Sequence, residues 1–315
     1  MQDIIKEVRY PVEVNGKWGF IGNDWNLVIP AIYDEVDYFS NGVAAVSLDG
    51  KWGYITVNGH SLLDINYDQA GPYSNNQAWV EVNNNYLIID NSGIVLKEYT
   101  YEEVDEILSF SANLYLFEKD GRYGYLDNRG IVINAIYDEA SPFDNGAAFV
   151  TLKNVSFFID INGEVINFNN DYKFQEAFSE GLALVLNGNE YGYINRSGNL
   201  IIPFSKQLGS SFSEGMAFIF DSKIMKYGYI NTSGTEVINS KYDAALPFIN
   251  GLAFVREGKE AKVIDINENI RYSLPEKCSI DVDSYLKGLL FYNITVDGKE
   301  MVINRMSGEI RDFSE

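Results

Sequence analysis

The chain has 315 residues, 46% hydrophobic and 14% aromatic, with 45 acidic against 24 basic side chains and a formal charge of −21. That balance supplies a packed core and argues against a surface that tracks phosphate backbones, which needs clustered Lys and Arg. The lone cysteine, Cys278, excludes an internal disulfide, and no run reaches the roughly 18 apolar residues of a membrane-spanning helix.

Residues 1–14 contain Lys6 and Arg9 but no apolar stretch of a secretory leader. The expected location is cytoplasmic where Met1 is the native start, and secreted or periplasmic where a leader was removed. A first strand is predicted near Tyr10, turning at Asn15-Gly16 into Lys17-Trp18-Gly19-Phe20-Ile21. Such a dipeptide suits a tight hairpin, whose two turn residues take positive φ. The turn Asn23-Asp24-Trp25-Asn26 leads to Val28-Ile29-Pro30, Tyr33-Asp34 and Phe39. After Asn41-Gly42 the series begins again: a strand from Val43, the turn Asp49-Gly50, Trp52-Gly53-Tyr54-Ile55 and Tyr67-Asp68.

Further along, the central phrase returns as Tyr123-Gly124-Tyr125-Leu126, Tyr191-Gly192-Tyr193-Ile194 and Tyr227-Gly228-Tyr229-Ile230. Opening strands near Tyr10, Val43, Ala78, Leu114, Ala147, Leu182, Met216, Leu252 and Leu289 lie 33 to 37 residues apart, so nine units fill a single domain, 1–315. Within each unit, short β-branched and aromatic runs separated by Gly, Asn and Asp predict three or four strands. Turns such as Asn195-Arg196-Ser197-Gly198 fit a type I turn closed by a glycine bulge. The recurring Trp18, Trp52, Tyr123, Tyr191 and Tyr227 are expected over a neighbouring core, with Gly19, Gly53, Gly124, Gly192 and Gly228 admitting a ring or backbone.

These phrases resemble the WG-containing repeat family of bacterial proteins, on Lys17-Trp18-Gly19-Phe20-Ile21, Val28-Ile29-Pro30, Tyr33-Asp34 and Phe212-Ser213-Glu214-Gly215. The resemblance covers nearly the whole chain and implies a repeat architecture; it carries no catalytic residues to transfer. The expected fold is all-β, nine tandem β-meanders of about 35 residues in a propeller-like ring, with an open β superhelix as the alternative.

Chemistry is sparsely signalled. His60, the only histidine, sits in a turn without an adjacent nucleophile or acid. Asp34, Asp68, Glu102, Asp138 and Asp243 follow an aromatic at one unit position, which points to a turn-capping role, with a ladder of acids for cations or a basic ligand as the alternative. Asp265-Ile266-Asn267-Glu268-Asn269 lacks the spacing of a calcium loop, and no phosphate loop or zinc set appears, so neither metal nor cofactor is expected. Units three, five and eight lose the Trp-Gly phrase, drawing attention to Tyr99, Tyr101, Phe168, Tyr172 and the segment 271–287. Trp25, with Asp24, lies outside the repeated position and is expected to be an exposed ring, whereas Trp79 alternates as core. The expected function is a non-enzymatic scaffold for a protein partner; a glycan or small-ligand module is the alternative, and an enzyme with converging carboxylates ranks third.

Overall fold

The computed structural model describes residues 9–168 and 172–313. Nine antiparallel sheets follow one another, at Tyr10–Tyr33, Glu35–Tyr67, Gln69–Thr100, Glu106–Tyr137, Glu139–Asp160, Lys173–Ser205, Leu208–Tyr242, Ala244–Leu274 and Cys278–Arg311. Among the described residues seven have four strands, while the first and fifth have three. Neighbouring strands in every sheet are consecutive in sequence, so each sheet is an up-and-down meander. The fold class is that expected: all-β, a nine-bladed β-propeller by class, each sheet one blade. Two compact units divide the chain: one has the residues up to 146, 151–154 and those from 312, the other 147–150 and 155–311. Blades one to four lie in the first unit and blades six to nine in the second.

Local sequence chemistry fixes the turns. Asn15 and Gly16 have φ of 52° and 76°, and Asp49 and Gly50 have 52° and 74°, the paired positive angles of a two-residue hairpin. At the following turn the Gly198 amide donates to the Asn195 carbonyl at 2.9 Å, and the Asn195 side chain accepts from the amides of Ser197 and Asn199, each at 3.0 Å. Gly198 closes it at φ 79°, as a glycine bulge requires.

The glycine of the central phrase is required by a close backbone approach. A Cβ on Gly19 would lie 2.6 Å from the Ile29 carbonyl oxygen, and one on Gly228 would lie 2.6 Å from that of Ile238. Opposite each glycine the facing strand bulges, with register shifts at Trp18/Phe20 and Tyr227/Tyr229. Blades three and eight carry Leu87 and Lys262 there, and the facing strands run past both without that shift, pairing Leu87 with Glu98 and Lys262 with Ser273. Side chain and bulge therefore exclude each other at this position.

The most deeply buried anchor is the aromatic after the glycine, while Trp18, Trp52, Tyr191 and Tyr227 pack against the margin of the same cores. Trp18, Trp52, Tyr123, Tyr191 and Tyr227 are half-buried, whereas Phe20, Tyr54 and Tyr229 have no exposed surface. The two rings lie two residues apart and so share one face of the strand, packing against the same core; the second sits deeper in the blade interface and the first at its margin. Tyr54, Tyr193 and Tyr229 donate their hydroxyls to the carbonyls of Gly71, Ser210 and Leu246, each at 2.8 Å, and so bind the segment leading into the next blade. Each ring also meets an aromatic from that segment edge-on, as Tyr193 meets Phe212 at 5.1 Å and Tyr229 meets Phe248 at 5.0 Å.

Packing is therefore blade against blade. In the first unit Phe20, Ile29 and Tyr33 pack with Ala44, Val46 and Ile55; in the second, Leu184, Tyr193 and Ile202 pack with Ala217, Ile219 and Ile230. The Phe-Ser-Glu-Gly phrase adds polar links. Ser179 and Ser213 donate to the carbonyls of Phe212 and Phe248 at 2.6 Å, and the Glu214 carboxylate accepts from the amides of Asn250 and Gly251 at 2.6 and 2.7 Å. The segment 271–287 rebuilds this stretch differently, with a strand at Cys278–Ile280 and the helix Val282–Leu286 capped by Asp281.

Candidate functional site

The repeated acids are consumed by the scaffold. Asp34 accepts from the Lys17 ammonium and from the Asp49 amide, 2.7 Å away in the hairpin turn of the next blade. Asp68 does the same with Lys51 and the Asn83 amide, Asp138 with Arg122 and the Lys153 amide, and Asp243 with Lys226 and the Gly258 amide. In blade three the clamp belongs to Asp105, which takes Lys119 and the Asp120 amide, both at 2.7 Å; Glu102, expected there, is an exposed turn residue. An insertion around Thr100–Val104 displaces the acid along the chain while the clamp keeps its place. The bonded lysines, and then the turn amides, hold the carboxyls of Asp34, Asp68, Asp105 and Asp243 below the ordinary aspartate value.

Blade six keeps the Tyr-Gly-Tyr anchor and loses the clamp. Fifteen residues beyond Trp18, Trp52 and Tyr227 stand Tyr33, Tyr67 and Tyr242, followed by aspartate; the same count from Tyr191 reaches Lys206, followed by Gln207. The basic partner before the ring is replaced too, since Glu190 occupies the position of Lys17, Lys51 and Lys226. The facing strand ends early, at Ser205 opposite Tyr191. The next hairpin also differs: blade seven turns between Asp221 and Lys226 through four residues, where the other eight blades turn in two.

These departures coincide in space. Glu190, Ser205, Lys206, Gln207, Asp221, Ser222 and Lys223 line a cleft of about 530 Å³. It opens where blades one, two, four and seven seat a tyrosine opposite the ring before the glycine: Tyr33 and Tyr242 are only 6% and 3% exposed, whereas in blade six Ser205 takes that register and the exposed Lys206 follows it. Asp221 is engaged by the Lys223 amide at 2.9 Å, and the ammonium groups of Lys206 and Lys223 have no ion-pair partner among the described residues. At the tip of the long turn, Ile224 and Met225 are 53% and 65% exposed. Sequence reading passed over this blade because its Tyr-Gly-Tyr-Ile phrase is intact; the reversal from Lys to Glu190 and the two extra turn residues were the available signal.

The profile of the WG containing repeat matches residues 18–52, 52–86, 123–155, 191–220 and 227–260, more than half of the chain. The protein belongs to the WG-containing repeat family. The matched segments hold the ring–glycine–aromatic phrases described above, and blade six is among them. The sequence of this WG-repeat protein matches no curated protein. Among solved structures, it is similar to a crystal structure of a eukaryotic initiation factor, with TM-score 0.63 and 11% identity over 98% of this chain and 95% of that one. A likeness at this identity concerns the fold alone. BamB from Moraxella catarrhalis is also similar, with TM-score 0.41 and 12% identity over 80% of this chain and 96% of that one.

The other sequence-derived candidates of the WG-repeat protein are scattered. Trp25, expected to be exposed, is 7% exposed and stacks on Phe313 with ring centres 6.0 Å apart, from a turn in which its φ is 67°. Asp24 beside it is exposed and closes its own turn on the Asn26 amide at 3.2 Å. Tyr99 is buried, donating to the Asp127 carbonyl at 2.5 Å, and burial raises its phenol above the ordinary value. Tyr101 is 38% exposed with its hydroxyl on the Glu81 carboxylate. Phe168 and Tyr172 are half-buried, against Phe178 at 5.7 Å and Phe204 at 5.0 Å. Cys278 is buried, which pushes its thiol up, and His60 is exposed. Among the described residues no group of three or more His, Cys, Asp or Glu is placed to hold a metal ion, and no helix is long and apolar enough to cross a membrane.

Proposed function

We propose that this WG-repeat protein is a non-enzymatic interaction scaffold and that the cleft between blades six and seven holds a protein partner. The observation that carries this reading is the concentration of repeat-breaking residues at one place: three clamp positions changed and one hairpin lengthened, around a single cleft. In blades one, two, four and seven the same positions hold an ion pair and a buried or half-buried tyrosine, which leaves them little to offer a partner. The cleft pairs unengaged ammonium groups with the apolar tip Ile224-Met225, a combination suited to a protein surface. The glycan alternative loses its main support with the burial of Trp25, the ring that was to serve as its platform.

The repeat supplies its own control. The triple variant Glu190→Lys/Lys206→Tyr/Gln207→Asp rebuilds in blade six the clamp and ring of blades one, two and seven. It is expected to fold with an equal or higher Tm while losing the proteins that the native chain retains from a lysate. Undiminished capture by the rebuilt variant, or none by the native chain, overturns the reading.

A further inference from the structure

Each blade ends in an edge strand whose outer backbone groups have no neighbour in the sheet, and such edges pair with other chains unless they are blocked. Four of these edge strands are seven residues long: Leu27–Tyr33, Ser61–Tyr67, Ile131–Tyr137 and Glu236–Tyr242. Three carry a blocking residue with an exposed side chain. Pro30 interrupts the first, Asp64 charges the second, and Glu236 and Lys241 charge the fourth. The strand Ile131–Tyr137, of sequence IVINAIY, has neither proline nor charge, and its Ile131, Val132 and Ile136 are 40%, 41% and 48% exposed.

We propose that Ile131–Tyr137 is a self-association edge, pairing antiparallel with the same strand of a second copy of this chain about a two-fold axis at Asn134. The strand bulges opposite Gly124, and Val132, Asn134 and Ile136 around that bulge are all exposed. Pairing about Asn134 sets Val132 opposite the second copy's Ile136, and the reverse, joining apolar surface on both sides. It also brings the turn residue Arg129, whose 84% exposed guanidinium bonds Asp127 of its own chain, toward the second copy's exposed Glu139. Charges at the ends of the paired segment are therefore complementary, while the segment itself carries none. The amide of Asn134 is available for this pairing. Pro30 and Pro203 occupy the same register position in blades one and six, whose sheets form without an N–H there.

One strand pair buries less than the roughly 1,200 Å² of a standard interface, so the dimer is concentration-dependent. Its strength rises with salt, because the −21 charge on each copy opposes approach at low ionic strength.

Sedimentation equilibrium of the full chain over a range of loadings tests the assignment. The weight-average mass is expected to climb from 35.6 kDa toward twice that value. Asn134→Pro, which copies the residue of blades one and six, is expected to stay at the monomer mass with an unchanged thermal transition. As a second probe that leaves the strand intact, Arg129→Glu weakens the dimer and Arg129→Glu/Glu139→Arg restores it. A native chain that remains monomeric at every loading, or an Asn134→Pro variant that dimerises like the native chain, overturns the proposal.

Discussion

Blades six and seven are built on nearly identical phrases, Tyr191-Gly192-Tyr193-Ile194 and Tyr227-Gly228-Tyr229-Ile230, yet they finish differently. In blade seven Lys226 meets Asp243 at 2.6 Å, and the 3% exposed Tyr242 donates its hydroxyl to Glu268 at 2.9 Å. In blade six Glu190 stands for the lysine, Ser205 takes the register of the tyrosine with Lys206-Gln207 after it, and a cleft takes the place of the ring. Both blades keep the second tyrosine, its hydroxyl bond to the next segment and its edge-on aromatic partner. The comparison separates two layers of the repeat: an inner anchor that blade six retains and an outer clamp that it does without.

The sharpest way to break this division is to remove an anchor. Tyr229→Ala is expected to cost about 3–5 kcal/mol, the range for truncating a fully buried aromatic, because the ring fills an interface between blades. Tyr193→Ala is expected to cost as much despite its blade's altered finish. Chemical denaturation of the two variants decides it; a much smaller loss for Tyr193 would mean that blade six has relaxed its anchor as well.

A finer test uses the glycines. A Cβ on Gly228 would stand 2.6 Å from the Ile238 carbonyl oxygen, whereas one on Gly192 would stand 3.0 Å from that of Ile202 and from the Phe204 ring. Gly228→Ala is therefore expected to destabilise by about 1–3 kcal/mol, the usual cost of overpacking, and Gly192→Ala by less. Equal losses in thermal unfolding would show that the shortened strand of blade six is held as tightly as its counterpart.

How far the sequence was legible follows the same two layers. Period, strand content, hairpin dipeptides and the glycine bulge of the following turn were readable because each depends on a local backbone requirement, such as the positive φ of Asn15 and Gly16. Which of two aromatics in one phrase is the more deeply buried was not readable, since Trp52 and Tyr54 share one face of the strand and only the packing of the neighbouring blade sets the depth of each. Trp25 misled for a related reason. A polar turn of the Asn-Asp-Trp-Asn type predicts exposure, but Phe313, distant in sequence, supplies a stacking partner. The cleft was not legible because blade six keeps its Tyr191-Gly192-Tyr193-Ile194 phrase intact. Three substitutions outside that phrase made the candidate site.

The outer clamp gives the smallest expected effect and the most specific one. Asp243 is exposed, and its pair with Lys226 is open to screening, so Asp243→Asn is expected to lower Tm only slightly at neutral pH. The bonded Lys226, followed by the Gly258 amide, holds the Asp243 carboxyl below its ordinary value of 3.8. A depressed folded value means that the stabilisation is present above pH 3.8 and is lost as pH falls through the lower folded value. The Tm gap between native and Asp243→Asn should therefore hold from pH 7 to about 5, close progressively below 3.8, and shrink at high salt. Gln207→Asp made alone in blade six should open no comparable gap, because Glu190 faces it where a lysine would be needed. A pH-independent gap at Asp243 would mean that the side chain acts by shape and hydrogen bonding, and blade six would then have lost a turn brace rather than a charge pair.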